Sequence, residues 1–413
     1  MKSKKILSLL VFSLTITATK AQNNKEVIGY FANWQIYARG GVFHPQSIDY
    51  SNYTILNYSF LTTDTLGNIS GVDAWADSLM LRGAIDWGKP QPAYIKNTSL
   101  IDYAHLWGVK VLPVIGGWTL SDNFSAMAAN PKAVANFSHN CVELIRKYQF
   151  DGIDIDWEYP TYKEHSGNPE DKQNFTILMQ SIRDSIDAYG KKENQDYLLM
   201  AAFGANPSQM NGIEYDKVKD ILDYINLMTY DYNGTWGNKS NHHSPLYSSE
   251  PDSAGSLDWS FRLLTEKYDV PAHKINIGTG FYARTYRCVS DIKQAGHCGT
   301  DNKTFPYYDG KPMYWRVMEE AHNYEEKWDD IAKMSYMVNK KDSSMISYEN
   351  EKTVRLKAEY ALKFKAAGVI IWDISGDYIS AEPGSLVIKD TPLARQIREA
   401  FQLTSGDRIR KKY

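Results

Sequence analysis

Apolar and aromatic residues recur along the chain in eight short runs, at 27–34, 54–60, 109–116, 152–157, 197–204, 225–230, 274–280 and 368–372. Several are continuous rather than alternating, the pattern of parallel strands buried on both faces. Stretches long enough for a helix separate them, and the clearest helical patterns cover 133–148, 173–189, 256–268 and 353–367. Eight strand–helix units predict an α/β fold, a (β/α)8 TIM barrel with functional groups gathered at the C-terminal ends of its strands. Trp34, Trp118, Glu158, Asp231, Arg284 and Trp372 each end or follow a run, so closure of the barrel would bring them to one mouth. A doubly wound open sheet is the structural alternative, but no Gly-rich phosphate loop supports a nucleotide site.

The gap before the last run is much longer than the others. Residues 281–350 contain two cysteines and alternating pieces at 334–338 and 345–348, which predicts a small α+β lobe inserted between strands seven and eight. A last helix is expected near 391–403, making 22–403 one catalytic unit, followed by a basic tail at 404–413 that reads as disordered.

The fourth run carries the densest chemistry. In Asp151-Gly-Ile-Asp-Ile-Asp-Trp-Glu-Tyr an extended backbone turns Asp154, Asp156 and Glu158 to one side and Ile153, Ile155 and Trp157 to the other. Three carboxyl groups in one small space cannot all be ionised cheaply, so one should hold a proton near neutral pH, as a general acid must. Glu158, the outermost, is the best candidate. Taken alone, such alternation more often means a strand with its acids in water. Calcium or magnesium would suit a carboxylate cluster, but Ile, Trp and Pro leave little room here for a loop of carbonyl ligands.

Composition narrows the partners. The 413 residues carry a net charge of -3, which gives no basic footprint for nucleic acid and no reason to expect a membrane surface. The 29 Tyr and 11 Trp fit a sugar-binding cleft, or heavy packing. Residues 1–21 have a basic start, an apolar middle and a small-residue exit, the pattern of a secretory signal peptide; the apolar run is too short for an anchor. Export permits disulfides, so Cys288 and Cys298, close together among turn residues, are expected to pair. A metal site from these two cysteines and His297 matches no common zinc pattern, and Cys141 reads as a buried thiol in a helix.

The spacing of Asp151, Asp154, Asp156 and Glu158 matches the DxxDxDxE signature of glycoside hydrolase family 18, the chitinases, and the resemblance covers nearly the whole chain after residue 21. It extends to Gly29-Tyr30-Phe31, to Leu112 through Thr119, to Met228-Thr229-Tyr230-Asp231 and to Trp372, while Tyr282-Ala283-Arg284 and Ile346-Ser347-Tyr348 resemble the two ends of that family's insertion lobe. The resemblance implies that Glu158 protonates the leaving glycosidic oxygen. The substrate's own N-acetyl carbonyl then attacks the anomeric carbon, giving an oxazolinium ion that water opens with retention. It also implies that Asp156 orients the acetamide, Tyr230 hydrogen-bonds its oxygen, Asp154 shares a proton with Asp156, and Trp372 forms the floor under the sugar. Gly117, Trp118, Tyr159, Met228, Asp231 and Arg284 resemble the family's subsite residues, and Asp151 supports the strand start.

No cofactor or metal is implied; the expected partner is chitin or a chitooligosaccharide, and the expected state is a secreted monomer. No accessory module is expected after the last helix, which favours soluble oligosaccharides or accessible chitin over highly crystalline chitin. One departure is visible: Val114 stands where the family pattern has Ser, removing a hydroxyl that could bond the inner carboxylates and shifting the expected pKa of Asp154. Two other functions share the signature's surroundings. An endo-β-N-acetylglucosaminidase acting on N-glycans generally lacks the lobe, and a chitinase-like lectin has lost the acid that Glu158 supplies here.

Overall fold

The computed structural model describes residues 25–248, 254–382 and 384–403. The signal peptide expected at 1–21 and the basic tail expected at 404–413 lie outside them. Eight parallel strands run Glu26–Ala32, Ile55–Thr63, Lys110–Gly116, Gly152–Asp156, Leu198–Gly204, Tyr224–Met228, Ile275–Gly280 and Gly368–Trp372. Each pairs with its sequence neighbour, and the first strand joins both the second, at Ile28↔Ile55, and the eighth, at Ile28↔Ile370. The sheet is therefore a closed barrel, which leaves no unpaired edge around the ring.

Both strand faces are buried, which explains the continuous apolar runs. Inside the barrel Ile28, Ile55, Leu112, Val114, Met200 and Ile370 fill the lower layers. Outside, Ile153, Ile155 and Leu199 pack with Phe137, Leu178 and Ile182 of the covering helices Pro131–Tyr148 and Asp171–Glu193. Ile153, Ile155 and Trp157 are each almost fully buried in this outer layer. At roughly 1.5–3 kcal/mol per large apolar side chain, a one-residue slip of the fourth strand would forfeit several kcal/mol and drive carboxylates into the apolar layer. Packing outside the barrel thus holds Asp154 and Asp156 inward.

The helices start where local chemistry allows. Asn130 caps Pro131–Tyr148 by accepting from the Lys132 N–H at 3.0 Å, with Pro131 at the first helical position, where the missing N–H costs nothing. The first connection departs from the strand–helix pattern: between strands one and two the chain makes only 3-10 turns at Asn33–Gly40, Pro45–Ser47 and Tyr50–Asn52. Gly40-Gly41 and Pro45 interrupt any longer helix there. The helix expected at 256–268 is α-helical over Leu257–Arg262 and widens into a π turn over Leu263–Lys267. Among the described residues no helix is long and apolar enough to cross a membrane.

Between strands seven and eight stands a four-stranded antiparallel sheet of Ala283–Arg287, Glu325–Asp329, Met334–Asn339 and Ser344–Tyr348, with the helix Tyr314–Glu320. This is the inserted α+β lobe. Its base is tied to the barrel by a buried Lys357–Glu349 ion pair, in which Lys357 also donates to Ser244. A disulfide joins Cys288 to Cys298, and Cys141 is a buried free thiol. The pairing leaves no room for the alternative metal site at these cysteines. Thiol titration of the unfolded, unreduced protein should count one reactive group and, after reduction, all three cysteines; three before reduction would contradict the bridge.

Candidate active site

The fourth strand delivers two carboxylates into the barrel and a third just beyond its end. Asp154 is fully buried and takes three donors: Tyr30 Oη at 2.6 Å and Asn57 Nδ2 at 2.8 Å on Oδ2, and Asn226 Nδ2 at 3.3 Å on Oδ1. Asn276 Nδ2 in turn donates to Asn226 Oδ1 at 3.0 Å, which fixes the orientation of that amide. Donors from strands one, two and six converge on one acid. Val114 lies opposite Asp154 in the strand register and is itself buried among apolar side chains. The hydroxyl that valine omits is thus offset by two asparagine amides and a tyrosine.

The end of the third strand shapes the acid's surroundings. Gly116 and Gly117 have φ of 118° and 93°, and the Gly117 N–H donates to the Asp156 carbonyl at 2.7 Å. A Cβ on Gly116 would lie 2.2 Å from that carbonyl oxygen, and one on Gly117 2.8 Å from the Phe60 ring. Only glycine meets both the backbone angle and the close approach. The turn that follows brings the Trp118 N–H onto the Glu158 carboxylate, which also accepts from the Tyr159 hydroxyl. Ser121 Oγ accepts the Glu158 N–H at 2.9 Å.

Burial raises all three acids, each against different neighbours. Burial pushes Glu158 up to about 7, with the charge of Asp231 adding to the shift and the Tyr159 and Trp118 donors opposing it. Burial likewise lifts Asp154 to about 7 against the pull of Tyr30 and Asn226. Asp156 is raised by burial and then by the charges of Glu158 and Asp154. Its Oδ1 is buried with no hydrogen-bond partner among the described residues. Tyr230 is raised by burial and by Asp156 and Glu158, so its phenol stays a neutral donor. For Asp231 burial works upward, but the Arg284 guanidinium outweighs it and holds the carboxyl below its usual range; the pair meets at 2.6 and 2.8 Å.

Aromatic rings line the mouth in two groups. Trp372 packs with Tyr30 at 5.9 Å, Trp34 at 6.4 Å and Phe60 at 5.5 Å. Trp118 packs with Tyr159 at 6.4 Å, Tyr162 at 5.9 Å and His165 at 4.4 Å. Met228, Tyr230, Tyr159, Phe60 and Trp372 belong to one apolar cluster at the top of the barrel. The residues singled out from the sequence therefore come together at one end, where Arg284 of the lobe also stacks over Trp236 at 4.7 Å. Asp151 stands apart at the strand start, accepting from the Val111 N–H at 2.7 Å and bonded to His105 Nε2 at 2.8 Å. Sequence reasoning assigned no role to Tyr30, Asn57, Asn226 or Asn276, nor to Phe60, Ser121 or Trp236. A signal existed for the asparagines, since each is the one side-chain amide in its strand, set among mostly apolar neighbours.

The profile described as glycosyl hydrolases family 18 matches residues 26–377. The chain belongs to glycosyl hydrolase family 18. It is 30% identical to Chitinase A1 of Niallia circulans over 426 residues, an alignment that spans 90% of this chain but 60% of that protein. It is 30% identical to Endochitinase 1 of Metarhizium robertsii, with 84% of this chain and 80% of the relative covered. Among solved structures, chitinase ChiA74 from Bacillus thuringiensis superposes with a TM-score of 0.77 at 26% identity, covering 92% of this chain and 70% of that one.

Family 18 membership makes this protein a glycoside hydrolase, and Glu158, expected from the sequence to be its proton donor, would act only in its acid form. With its pKa near 7, that form dominates below pH 7 and falls about tenfold per unit above it, so kcat/KM should fall on the alkaline side of about pH 7. Val114→Ser adds a donor beside Asp154, favours its anion and should move the acid limb of the pH–rate profile to lower pH. A profile identical to wild type would show that the hydroxyl does not reach the carboxylates.

Proposed function

We propose that the protein is a chitinase, cleaving β-1,4 links between N-acetylglucosamine units by substrate-assisted, retaining hydrolysis. The observation that carries this reading is that Asp156 and Tyr230 lie close enough for the charge of one to raise the pKa of the other while Asp156 Oδ1 has no hydrogen-bond partner among the described residues. An unpartnered buried carboxylate oxygen and a phenol kept neutral form an acceptor and a donor for the two ends of one amide. An N-acetyl group offers those complements. The acceptor meets its N–H and the phenol its carbonyl oxygen.

In this mechanism Glu158 gives its proton to the glycosidic oxygen as the bond to the anomeric carbon breaks, and the acetamide oxygen forms a new bond to that carbon. Asp154 and Asp156 share one proton, so the pair carries one negative charge beside the oxazolinium as it develops, and the three donors on Asp154 stabilise the pair's charge. Glu158, now ionised, takes a proton from the water that opens the ring. Trp372 stacks under the distorted sugar. Gly117, Trp118, Tyr159, Met228, Asp231 and Arg284 contact the sugars on either side. Fixing the acetamide against the anomeric carbon supplies the nucleophile without a bimolecular encounter, an advantage of up to several kcal/mol, on the order of 7–11 in the best intramolecular cases.

Further readings belong with this one. Secretion is supported by the pattern of residues 1–21 and agrees with a disulfide-bearing lobe. Residues 22–403 act as one catalytic unit working as a monomer on soluble or accessible chains. The inserted lobe and the intact Glu158 disfavour the N-glycan endoglycosidase and the lectin respectively.

The test is product release from a chromogenic chitobiose and chitotriose series by wild type and Glu158→Gln, with an N-glycan substrate alongside. Wild-type turnover of the chitooligosaccharides should fall at least about a thousandfold in the variant. Cleavage of the glycan alone, or binding of chitooligosaccharides without turnover, would overturn the reading.

A further inference from the structure

The segment that leaves the fourth strand, from Tyr159 to Asp171, is braced at both ends. At the far end buried Asp171 accepts from Ser125 Oγ at 2.7 Å, the Asn168 N–H at 2.8 Å and the Thr161 N–H at 3.2 Å. At the cleft the brace is one side chain, His165. Its Nδ1 lies 2.7 Å from the carbonyl oxygen of Glu158. A carbonyl only accepts, so Nδ1 carries the hydrogen and the tautomer is fixed. Nε2 has no hydrogen-bond partner among the described residues.

The same imidazole packs against Trp118 with centroids 4.4 Å apart, nearer than either tyrosine in that group, and against Tyr162 at 5.5 Å. Trp118 is half-exposed, at 50%, and its backbone N–H meets the Glu158 carboxylate. One histidine therefore links the backbone of the acid, which Ser121 holds independently through its N–H, to the ring that borders it. No ring-to-ring contact joins the Trp118 group to the Trp372 group, whose rings come from strands one, two and eight and from Trp34 just after strand one, although Tyr159 reaches the apolar cluster that holds Phe60 and Trp372. If Trp372 lies under the sugar that keeps its anomeric carbon, the rings gathered around Glu158 face the sugar that departs.

We propose that His165 is a positioning residue for the leaving-group side of the cleft, where it sets the pose of Trp118 and so the binding of the departing sugar. This rests on the chitinase reading above. Nothing in the short turn Lys163–His165 duplicates its hydrogen bond to Glu158; of its neighbours Tyr162 also packs on Trp118, at 5.9 Å, but makes no hydrogen bond with the Glu158 carbonyl.

The experiment compares two substrates. Chitohexaose places sugars on both sides of the cleaved bond, whereas β-chitobiosyl fluoride has no sugar on its leaving group. His165→Ala should raise the KM ratio of chitohexaose to fluoride about fivefold or more, with kcat on chitohexaose changing less than about threefold. His165→Phe keeps the ring and loses the hydrogen bond, so its ratio should fall between wild type and Ala; it decides the matter if the Ala variant does not fold. An unchanged KM ratio in either variant, or a fall in kcat at constant ratio, would overturn the inference. Failure of the wild type to turn over both substrates would instead overturn the chitinase reading, and the inference with it.

Discussion

The site depends on keeping carboxylates in a place where carboxylates are expensive. Asp154 is fully buried, and an isolated buried carboxylate would take up a proton and remain neutral. The barrel offsets that cost with three donors drawn from different strands, Tyr30, Asn57 and Asn226, the last held by Asn276. Strand closure is what brings these donors to one point, since strands one and two lie far in sequence from strands four, six and seven. Asp156, one step up the strand, receives no such support on Oδ1 and carries the full effect of its two acidic neighbours. Fold and chemistry are joined at that difference.

The outer layer enforces the arrangement from behind. Ile153, Ile155 and Trp157 are almost fully buried on the outer face, and a one-residue slip would exchange them with the inner acids, so the apolar face fixes the register and with it where the acids go. At the neighbouring strand end, Gly116 and Gly117 let the backbone approach so closely that the Trp118 N–H reaches Glu158. The acid is thus held by one backbone N–H together with the side chains of Tyr159, Ser121 and His165.

Much of this was legible in the sequence, for physical reasons. Continuous apolar runs mark strands buried on both faces, and all eight barrel strands follow them with ends displaced by a few residues, as Trp34 and Trp157 fall just beyond theirs. Alternation in the fourth run set the direction of Asp154, Asp156 and Glu158. The missing first helix was harder to see, because the length of a connection says little about whether Gly40-Gly41 and Pro45 will break it. The donors to Asp154 were hidden for another reason. Asn57 and Asn226 lie 97 and 72 positions away in sequence, and only the closed barrel makes them neighbours. His165 is a loop residue with no periodic signal, and its meaning comes from a distance to one carbonyl oxygen.

The central claim is that the nucleophile belongs to the substrate and that Asp156 and Tyr230 hold it. The most direct measurement compares an aryl chitobioside with its analogue bearing an N-trifluoroacetyl group on the reacting sugar, whose carbonyl oxygen is a far weaker nucleophile. The account predicts that kcat falls by more than about tenfold in the analogue while the pH profile keeps its shape. Equal rates for the two substrates would mean that an enzyme carboxylate attacks the anomeric carbon, and the account would be wrong.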